Sequence, residues 1–324
     1  MKKLVALALT SVLATSAFAF PVKPITLVVP FPPGPTDTVT RQLAEAMRKA
    51  MPGSTFVVEN TAGAGGTIGA NRVARADADG HTLLVWHIGM ASTANLYRKL
   101  PFKALESFEY LGMINEVPMT LIGSPKLPAN TYKEFEAYVR ANGGKLNLAH
   151  AGIGAASHLC GLMWQSAMGL KEGMTTIPYT GTGPALSALI GGQVDVMCDQ
   201  TTNTTGQIEG KTVKAFAVTT SKRLSDNALL KDLPTLQESG LKGFDLTIWH
   251  GLYAPKGTPA AVTKQLNTAL QAALKDPEFI ARQKALGAVV VTDKRVTNDG
   301  HKAFVADQIK KLGPVIDAAG QFAD

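Results

Sequence analysis

The chain has 324 residues, of which 45% are hydrophobic and 18% are charged, a composition typical of globular proteins rather than disordered ones. Its formal net charge is +7, but the basic residues are scattered and form no basic arm, so a nucleic-acid-binding protein is not expected. Beyond the N-terminus no apolar run reaches about 18 residues, the minimum for a membrane-spanning helix.

The first 19 residues have the pattern of a secretory signal peptide. Two lysines give a positive start, residues 4–12 are mainly apolar, and Ala17-Phe18-Ala19 is a small-residue cleavage motif. We therefore expect residues 1–19 to be removed after Ala19, which places the mature protein in the periplasm. Losing both lysines reduces 32 basic residues to 30 against 25 acidic ones, so the mature chain carries +5.

Strand and helix patterns then alternate. Strands are predicted at residues 25–29, 56–58 and 83–86. A helix begins with Thr36 or Asp37 as its cap and runs to Ala50, and a second helix follows the glycine-rich turn at residues 63–69. The first helix has one apolar face, formed by Val39, Leu43, Met47 and Ala50. This βαβαβ order predicts a parallel sheet with helices on its faces.

Two long extended segments, residues 110–123 and 244–254, enclose a second alternating block. Helices are predicted in it at residues 132–141, 157–168 and 184–190, and strands at 146–150, 176–178, 194–198 and 215–219. After it come helices at residues 259–274, 277–286 and 299–319, and a strand at 289–291.

This arrangement predicts one lobe inserted into another. Lobe 1 comprises residues 20–121 and 246–324, and lobe 2 comprises residues 122–245. The chain crosses between them near residues 115–122 and 245–250, so we expect a hinge there and a ligand in the cleft between the lobes.

The first candidate binding loop joins the strand at residues 25–29 to the helix that follows. In a parallel sheet, ligands bind at the carboxyl ends of the strands, and a helix start offers free N–H groups that suit a carboxylate. The alternative is an ordinary turn whose Thr36 or Asp37 only caps the helix, and spacing alone favours it. The candidate ligand-binding residues here are Phe31, Pro33, Gly34, Pro35, Thr36 and Asp37.

The second candidate loop, residues 151–158, also links a strand to a helix. Its glycines let backbone amides approach a ligand closely, and Ser157 can cap the helix. The two histidines beside the loop can add hydrogen bonds, although a lone histidine is more often structural. The candidate residues here are His150, Ala151, Gly152, Gly154, Ala155, Ser157 and His158.

Further candidates lie at the ends of other strands. Trp86, His87 and Met90 are expected to form a wall against the carbon skeleton of a ligand. Tyr179 and Thr180 occupy another strand-to-helix turn. Asp199 follows the strand at residues 194–198, where it can fix the loops or bind a donor group; capping is the simpler role.

The two cysteines, Cys160 and Cys198, are interpreted as buried thiols. An oxidising compartment also permits a bridge between them, but so low a count argues against a disulfide scaffold.

Enzyme motifs are incomplete. The loop at residues 152–157 mimics a dinucleotide fingerprint, but Ser157 replaces its third glycine and no ribose-binding acid follows at the required spacing. The chain has no G-x-S-x-G nucleophile motif, and its six histidines lack zinc-site spacing. We expect no catalysis, no cofactor and no metal.

Seven motifs occur in order along the mature chain: PITLVVPFPPG at 24–34, VENTAGAGG at 58–66, DGHTLL at 79–84, GIGAASHL at 152–159, PYTGTGPAL at 178–186, GGQVD at 191–195 and APKGTP at 254–259. Together they resemble the substrate-binding proteins of tripartite tricarboxylate transporters, also called the Bug or TctC family. The resemblance covers essentially the whole mature chain.

The resemblance implies an α/β, two-lobe Venus-flytrap receptor with the type II fold of periplasmic binding proteins. In that family two loops, matched here by residues 31–37 and 151–158, pinch the carboxylate of the ligand, often with ordered waters. The family delivers mono-, di- or tricarboxylates, some amino acids and some aromatic acids to membrane subunits.

Four positions depart from the family pattern. Pro35 replaces a glycine and removes an N–H donor. Ala155 replaces a frequent serine, His150 stands where serine is common, and Thr180 stands where lysine is frequent. These departures bear on the identity of the ligand.

We therefore hypothesise a monomeric periplasmic receptor that delivers a small mono- or dicarboxylate to the membrane subunits of a tripartite carrier. Trp86 and Met90 leave room for an aromatic acid, and a C4–C6 aliphatic dicarboxylate is equally open. The alternative is a ligand-sensing subunit for a membrane signalling protein, which sequence does not separate from transport.

Overall fold

The computed structural model describes residues 20–170, 173–319 and 322–323. The predicted signal peptide, residues 1–19, and its cleavage after Ala19 lie outside these residues and stay predictions. Within the described part of the chain, no helix is long and apolar enough to cross a membrane.

The N-terminal block is a parallel sheet with helices between its strands. Its strands pair in the order β2-β1-β3, with the predicted parallel direction. In chain order the elements are β1 (Ile25–Val29), α1 (Pro35–Ala50), β2 (Phe56–Asn60), α2 (Thr67–Ala74), β3 (Thr82–His87) and α3 (Gly89–Leu96). The βαβαβ prediction is therefore confirmed, and α3 is an element that the sequence did not indicate.

The pattern of buried residues explains why the sequence predicts α1 but not α3. Helix α1 buries Val39, Leu43 and Met47 of its predicted apolar face and half-buries Ala50, so its period of 3.6 is legible in the sequence. Helix α3 buries even its polar residues Ser92 and Thr93, so its sequence does not alternate between an apolar and a polar face and gives no helical periodicity.

Two long antiparallel strands connect this block to the rest. Strand β4 runs over Phe108–Gly123, and β9 over Thr247–Pro255. Residues 108–118 of β4 pair with β9, which itself pairs with β3. Residues 119–123 of β4 pair instead with two strands of the second block, so β4 passes from one block to the other.

The second block repeats the alternation of strand and helix. Its elements are α4 (Tyr132–Asn142), β5 (Asn147–His150), α5 (Ala156–Met168), β6 (Thr175–Pro178), α6 (Thr182–Gly191), β7 (Val196–Gln200), α7 (Thr201–Glu209) and β8 (Lys214–Val218). Strands β7, β5 and β6 are neighbours and parallel. Helix α7 was not predicted, because its sequence TTNTTGQIE contains mostly residues of low helix propensity.

The C-terminal elements return to the first block. They are α8 (Ala260–Ala273), α9 (Pro277–Ala285), β10 (Val289–Val290) and α10 (Asn298–Ala319). Helix α8 packs against α1, α10 packs against α3, and β10 pairs antiparallel with β4. The predicted elements of this region are confirmed with shifts of at most one residue at their ends.

A disulfide joins the two cysteines. Cys160 on α5 and Cys198 on β7 are bonded, with their Cα atoms 6.0 Å apart. The interpretation as two free buried thiols is therefore wrong. Both residues are fully buried, so the sequence shows only that they belong to the core; their pairing depends on how α5 lies against the sheet.

Replacing both cysteines with alanine is expected to lower the free energy of unfolding by about 4 kcal/mol, the chain-entropy value for a loop of this length. The bridge closes a sequence separation of 38 residues. Urea unfolding of the oxidised, the reduced and the doubly substituted protein measures the effect. Because reduction removes the cross-link but keeps both sulfur atoms in the core, an unchanged urea midpoint after reduction would contradict a stabilising bridge.

Candidate ligand-binding site

A narrow cleft lies where the two blocks face each other. Both blocks contribute to its walls. Among the described residues, those that line it include no lysine, arginine, aspartate or glutamate; they are Phe31, Pro32, Pro35, Thr36, His87, Ala151, Ala155, Ala156, Ser157, Thr182 and Gln200.

Four helices begin at this cleft. Pro35 and Thr36 open α1, Ala156 and Ser157 open α5, and Thr182 opens α6, while Gln200 directly precedes α7. None of the four N-termini is capped by a side chain from the described residues. Their first-turn N–H groups and partial positive charges therefore converge on one small space, which suits an anion.

The capping roles predicted for three residues are wrong. The residue that precedes α1 is Gly34, so Thr36 and Asp37 lie inside the first turn. Asp37 instead accepts hydrogen bonds from Arg41, at 2.8 and 3.0 Å, and from Asn60, which ties α1 to the end of β2. Helix α5 is preceded by Ala155, so Ser157 does not cap it either.

Ser157 has a different task in the second loop. Its Oγ accepts a hydrogen bond from the backbone N–H of Ala151 at 2.9 Å, so its own proton remains available to a ligand. The amide of Gly152 donates to Nδ1 of His150, and the amide of Gly154 donates to Nδ1 of His158. Because a backbone N–H can only donate, both rings carry the proton of their neutral form on Nε2.

His87 is held in the same way. The amide of Gly89 donates to its Nδ1 at 2.9 Å, and its ring stacks on Phe31 at 4.8 Å. Burial lowers the pKa of His87 to about 3, and burial together with nearby His158 lowers that of His150 to about 4. At neutral pH His87 and His150 are therefore uncharged, and Nε2–H of His87 is its only ring donor for the cleft.

The two blocks touch across the cleft. The hydroxyl of Tyr97 lies 2.8 Å from the carbonyl oxygen of Ala64 and 3.1 Å from that of Ile153, and Ser92 donates to the carbonyl of Gly154. Gly65 packs so closely on Ile153 that a β-carbon at that position would lie 1.9 Å from the carbonyl oxygen. The structure therefore has the second candidate loop closed against Gly65, Ser92 and Tyr97 of the first block.

The candidate residues divide into two groups. Those that line the cleft are Phe31, Pro35, Thr36, His87, Ala151, Ala155 and Ser157. Those that lie outside its lining are Pro33, Gly34, Asp37, Trp86, Met90, His150, Gly152, Gly154, His158, Tyr179, Thr180 and Asp199. Four lining residues were not among the candidates. Pro32 and Ala156 lie within the two predicted loops. Thr182 and Gln200 lie outside both loops, and the helix starts at Thr182 and after Gln200 were the available signals for them.

Two of the outlying candidates lie in the core, and a third lies at the surface. Trp86 and Met90 are fully buried, and the Trp86 indole fits against Gly66 and Gly89, where a β-carbon would approach it within 3 Å. Thr180 is exposed.

Asp199 is a buried carboxyl next to the cleft residue Gln200. One of its oxygens accepts from Asn203 at 2.5 Å, and the other has no hydrogen-bond partner among the described residues. Burial raises the pKa of Asp199 to about 7. The predicted capping role is wrong, because Gln200 is the residue that precedes α7 and no side chain of the described chain caps that helix.

Comparisons with known proteins find relatives over most of the chain. A family model described as "Tripartite tricarboxylate transporter family receptor" matches residues 39–321. The structure of the periplasmic binding protein BugD is 48% identical, with a TM-score of 0.89 over 94% of this chain and 100% of that one.

Two further solved structures carry ligands. MatC from Rhodopseudomonas palustris, with bound malate, is 37% identical, with a TM-score of 0.86 over 92% of this chain and all of that one. Another R. palustris protein, with adipate, is 29% identical, with a TM-score of 0.87 over 93% of this chain and 98% of that one. The α/β fold predicted from the sequence is thus the fold of periplasmic binding proteins of this type. The chain belongs to the tripartite tricarboxylate transporter receptor family, whose members are periplasmic solute-binding receptors and not enzymes.

Proposed function

We propose that this receptor binds a small aliphatic dicarboxylate in the cleft and delivers it to the membrane subunits of a tripartite carrier. The observation that carries the proposal is the convergence of four helix N-termini on one space that no lysine or arginine of the described chain lines. Each N-terminus is equivalent to about +0.5 charge, so four of them match a ligand that carries two negative charges.

The lining of the cleft favours an aliphatic over an aromatic acid. Trp86 and Met90, the basis for expecting an aromatic ligand, do not line it. The malate and adipate of the two relatives are both aliphatic dicarboxylates.

The lobes of the proposed receptor are residues 20–121 with 246–324, and residues 122–245. Strands β4 and β9 form the connection between them, and opening the cleft requires the contacts of Tyr97 and Ser92 to part. We propose that the receptor is a monomer and that its closed form is what the membrane subunits recognise.

A thermal-shift screen with malate, succinate, adipate, citrate and benzoate tests the ligand class. A ligand at about 100 times its Kd adds about 2.7 kcal/mol to the free energy of unfolding, so a bound acid raises the Tm clearly. We expect the aliphatic dicarboxylates to raise it most. No shift with any acid would overturn the proposal, and a shift with benzoate alone would overturn its aliphatic part.

Substituting Ser157 with alanine is expected to weaken dicarboxylate binding about 10- to 100-fold, the equivalent of a hydrogen bond to a charged group. The hydroxyl proton of Ser157 is available to the ligand because its oxygen accepts from Ala151. Titration calorimetry measures the change. Ser239→Ala is the matched control, since that hydroxyl donates to Thr235 outside the cleft lining; equal affinities for the two variants would remove Ser157 from the site.

A further inference from the structure

A line of polar side chains leads from the cleft into the first block. The Thr36 hydroxyl lies 3.2 Å from Nε2 of His250, and Nδ1 of His250 lies 2.9 Å from Oδ1 of Asn115. Asn115 Nδ2 donates to Oε1 of Gln283 at 2.6 Å, and Gln283 Nε2 donates to Oε1 of Gln42 at 2.6 Å. The first four residues are buried, and Gln42 is half-buried on the outer side of α1.

The orientation of the Asn115 and Gln283 side-chain amides fixes which group donates and which accepts in each hydrogen bond of this line. Oδ1 of Asn115 can only accept, so Nδ1 of His250 must carry the proton that it shares with Asn115. Burial holds the pKa of His250 well below its usual value, so the ring is neutral and its Nε2 has only a lone pair. Nε2 can therefore only accept, and the Thr36 hydroxyl must donate to it.

This assignment decides what Thr36 offers to a ligand. Its single hydroxyl proton is committed to His250, so its oxygen presents only lone pairs to the cleft that it lines. A carboxylate oxygen placed against this hydroxyl would face another acceptor. A ligand group that donates a hydrogen bond satisfies it instead, while the adjacent N–H groups of α1 remain for the carboxylate.

We propose that Thr36 selects carboxylates that bear a hydroxyl group, and that His250, Asn115 and Gln283 position its hydroxyl for this role. The inference rests on the proposed function, since it assumes that an organic acid occupies the cleft. A hydroxyl fits better than an ammonium group, because the lining residues of the described chain include no aspartate or glutamate to balance a positive charge.

Malate and succinate, which differ by one hydroxyl, test the selection directly. We expect the wild type to bind one enantiomer of malate at least about tenfold more tightly than succinate, since a site built around a hydroxyl rejects the analogue without it. Thr36→Val, which removes the hydroxyl but keeps the shape, should bring the ratio close to one by weakening malate binding. Thr36→Ser should keep the ratio, because serine restores the hydroxyl.

The outcomes separate the two proposals. Equal wild-type affinities for malate and succinate would overturn the selection but leave the receptor function intact. Equal losses for both acids in Thr36→Val would show that Thr36 donates to the carboxylate, which overturns the assigned direction. Failure of every acid in the screen to bind would overturn the proposed function and this inference with it.

His250→Phe tests the positioning role. The ring shape stays but the acceptor is lost, so the Thr36 proton is free to turn toward the cleft. We expect the malate-to-succinate ratio to fall at least about threefold, with a gain for succinate, because an acceptor next to the carboxylate becomes a donor. A merely structural role would weaken both acids equally and leave the ratio unchanged, which would overturn the positioning role. Thermal unfolding of the variant confirms that it is folded.

Discussion

Replacing Gly65 with alanine is expected to weaken ligand binding about 10- to 100-fold, the range that corresponds to forcing an extra carbon into a packed contact. A β-carbon at this position would lie 1.9 Å from the backbone carbonyl oxygen of Ile153, which belongs to the opposite side of the cleft. A backbone carbonyl cannot move aside as the end of a flexible side chain can, so the segments that carry Gly65 and Ile153 must separate. Titration calorimetry with malate measures the loss.

Gly169→Ala is the control for this substitution. Gly65 has a φ of +63°, and Gly169 has a φ of +57°, so alanine is strained at both positions to a similar degree. At Gly169, however, a β-carbon would meet nothing within 4 Å. Wild-type affinity in the Gly169 variant and reduced affinity in the Gly65 variant are expected. Wild-type affinity in both would show that the ligand-bound receptor does not use this closed contact.

The free energy of unfolding is expected to fall steeply between pH 7 and pH 4.5. Burial lowers the pKa of His87 and His301 to about 3 and that of His150 to about 4, and it holds that of His250 well below the usual value. Below the unfolded-state pKa of about 6.5, these histidines bind protons in the unfolded chain but remain unprotonated in the folded chain. His87, His150 and His301 then each cost about 2–3 kcal/mol of stability at pH 4.5, and His250 acts in the same direction.

Asp199 opposes this trend. Its pKa is raised to about 7, so its stabilising contribution is present at low pH and is lost as the pH rises through 7. It therefore offsets about 3 kcal/mol of the acid-induced loss between pH 7 and 4.5. His87, His150 and His301 together outweigh it, with about 7 kcal/mol, which is of the order of the whole stability of an ordinary protein.

Urea unfolding at a series of pH values checks both groups. Asp199→Asn should steepen the loss of stability toward acid, because its offset disappears. His301→Gln should reduce the slope of the free energy of unfolding against pH by the equivalent of about one proton. The His301 side chain lies against Gly112, Tyr110 and Tyr253, outside the cleft lining. A wild-type free energy that does not change between pH 7 and 5 would contradict the burial of neutral imidazoles.

The order of elements and both candidate loops could be predicted because their signals are local. Apolar runs mark β1 and β3, and the proline and glycine residues around Pro35 and Gly152 mark the turns after strands. In a parallel sheet such turns gather at one edge, which marks one candidate loop in each block. That Thr36 of the first block and Ser157 of the second line one cleft was implied by the resemblance to the family.

The rest depends on contacts between distant parts of the chain. Tyr97 and Ile153 are 56 residues apart, and no pattern around either residue indicates that the hydroxyl of one holds the loop of the other. The same holds for the Cys160–Cys198 bridge, and for His250, which meets Thr36 across 214 residues.

Helix caps were misjudged for a related reason. Thr36, Asp37 and Ser157 are residues that commonly cap helices, and propensity alone assigns them that role. In the structure their side chains are engaged by His250, Arg41 and Ala151 instead. The N-termini of α1 and α5 thereby keep the free N–H groups that the proposed ligand site requires.

A crystal structure of the receptor with bound malate tests the central claim most directly. The account predicts a carboxylate group within hydrogen-bond distance of the backbone N–H groups at the starts of α1 and α5, and no lysine or arginine in contact with it. It also predicts the malate hydroxyl beside the oxygen of Thr36. A carboxylate held by a basic side chain, or seated away from residues 31–37 and 151–158, would contradict the account.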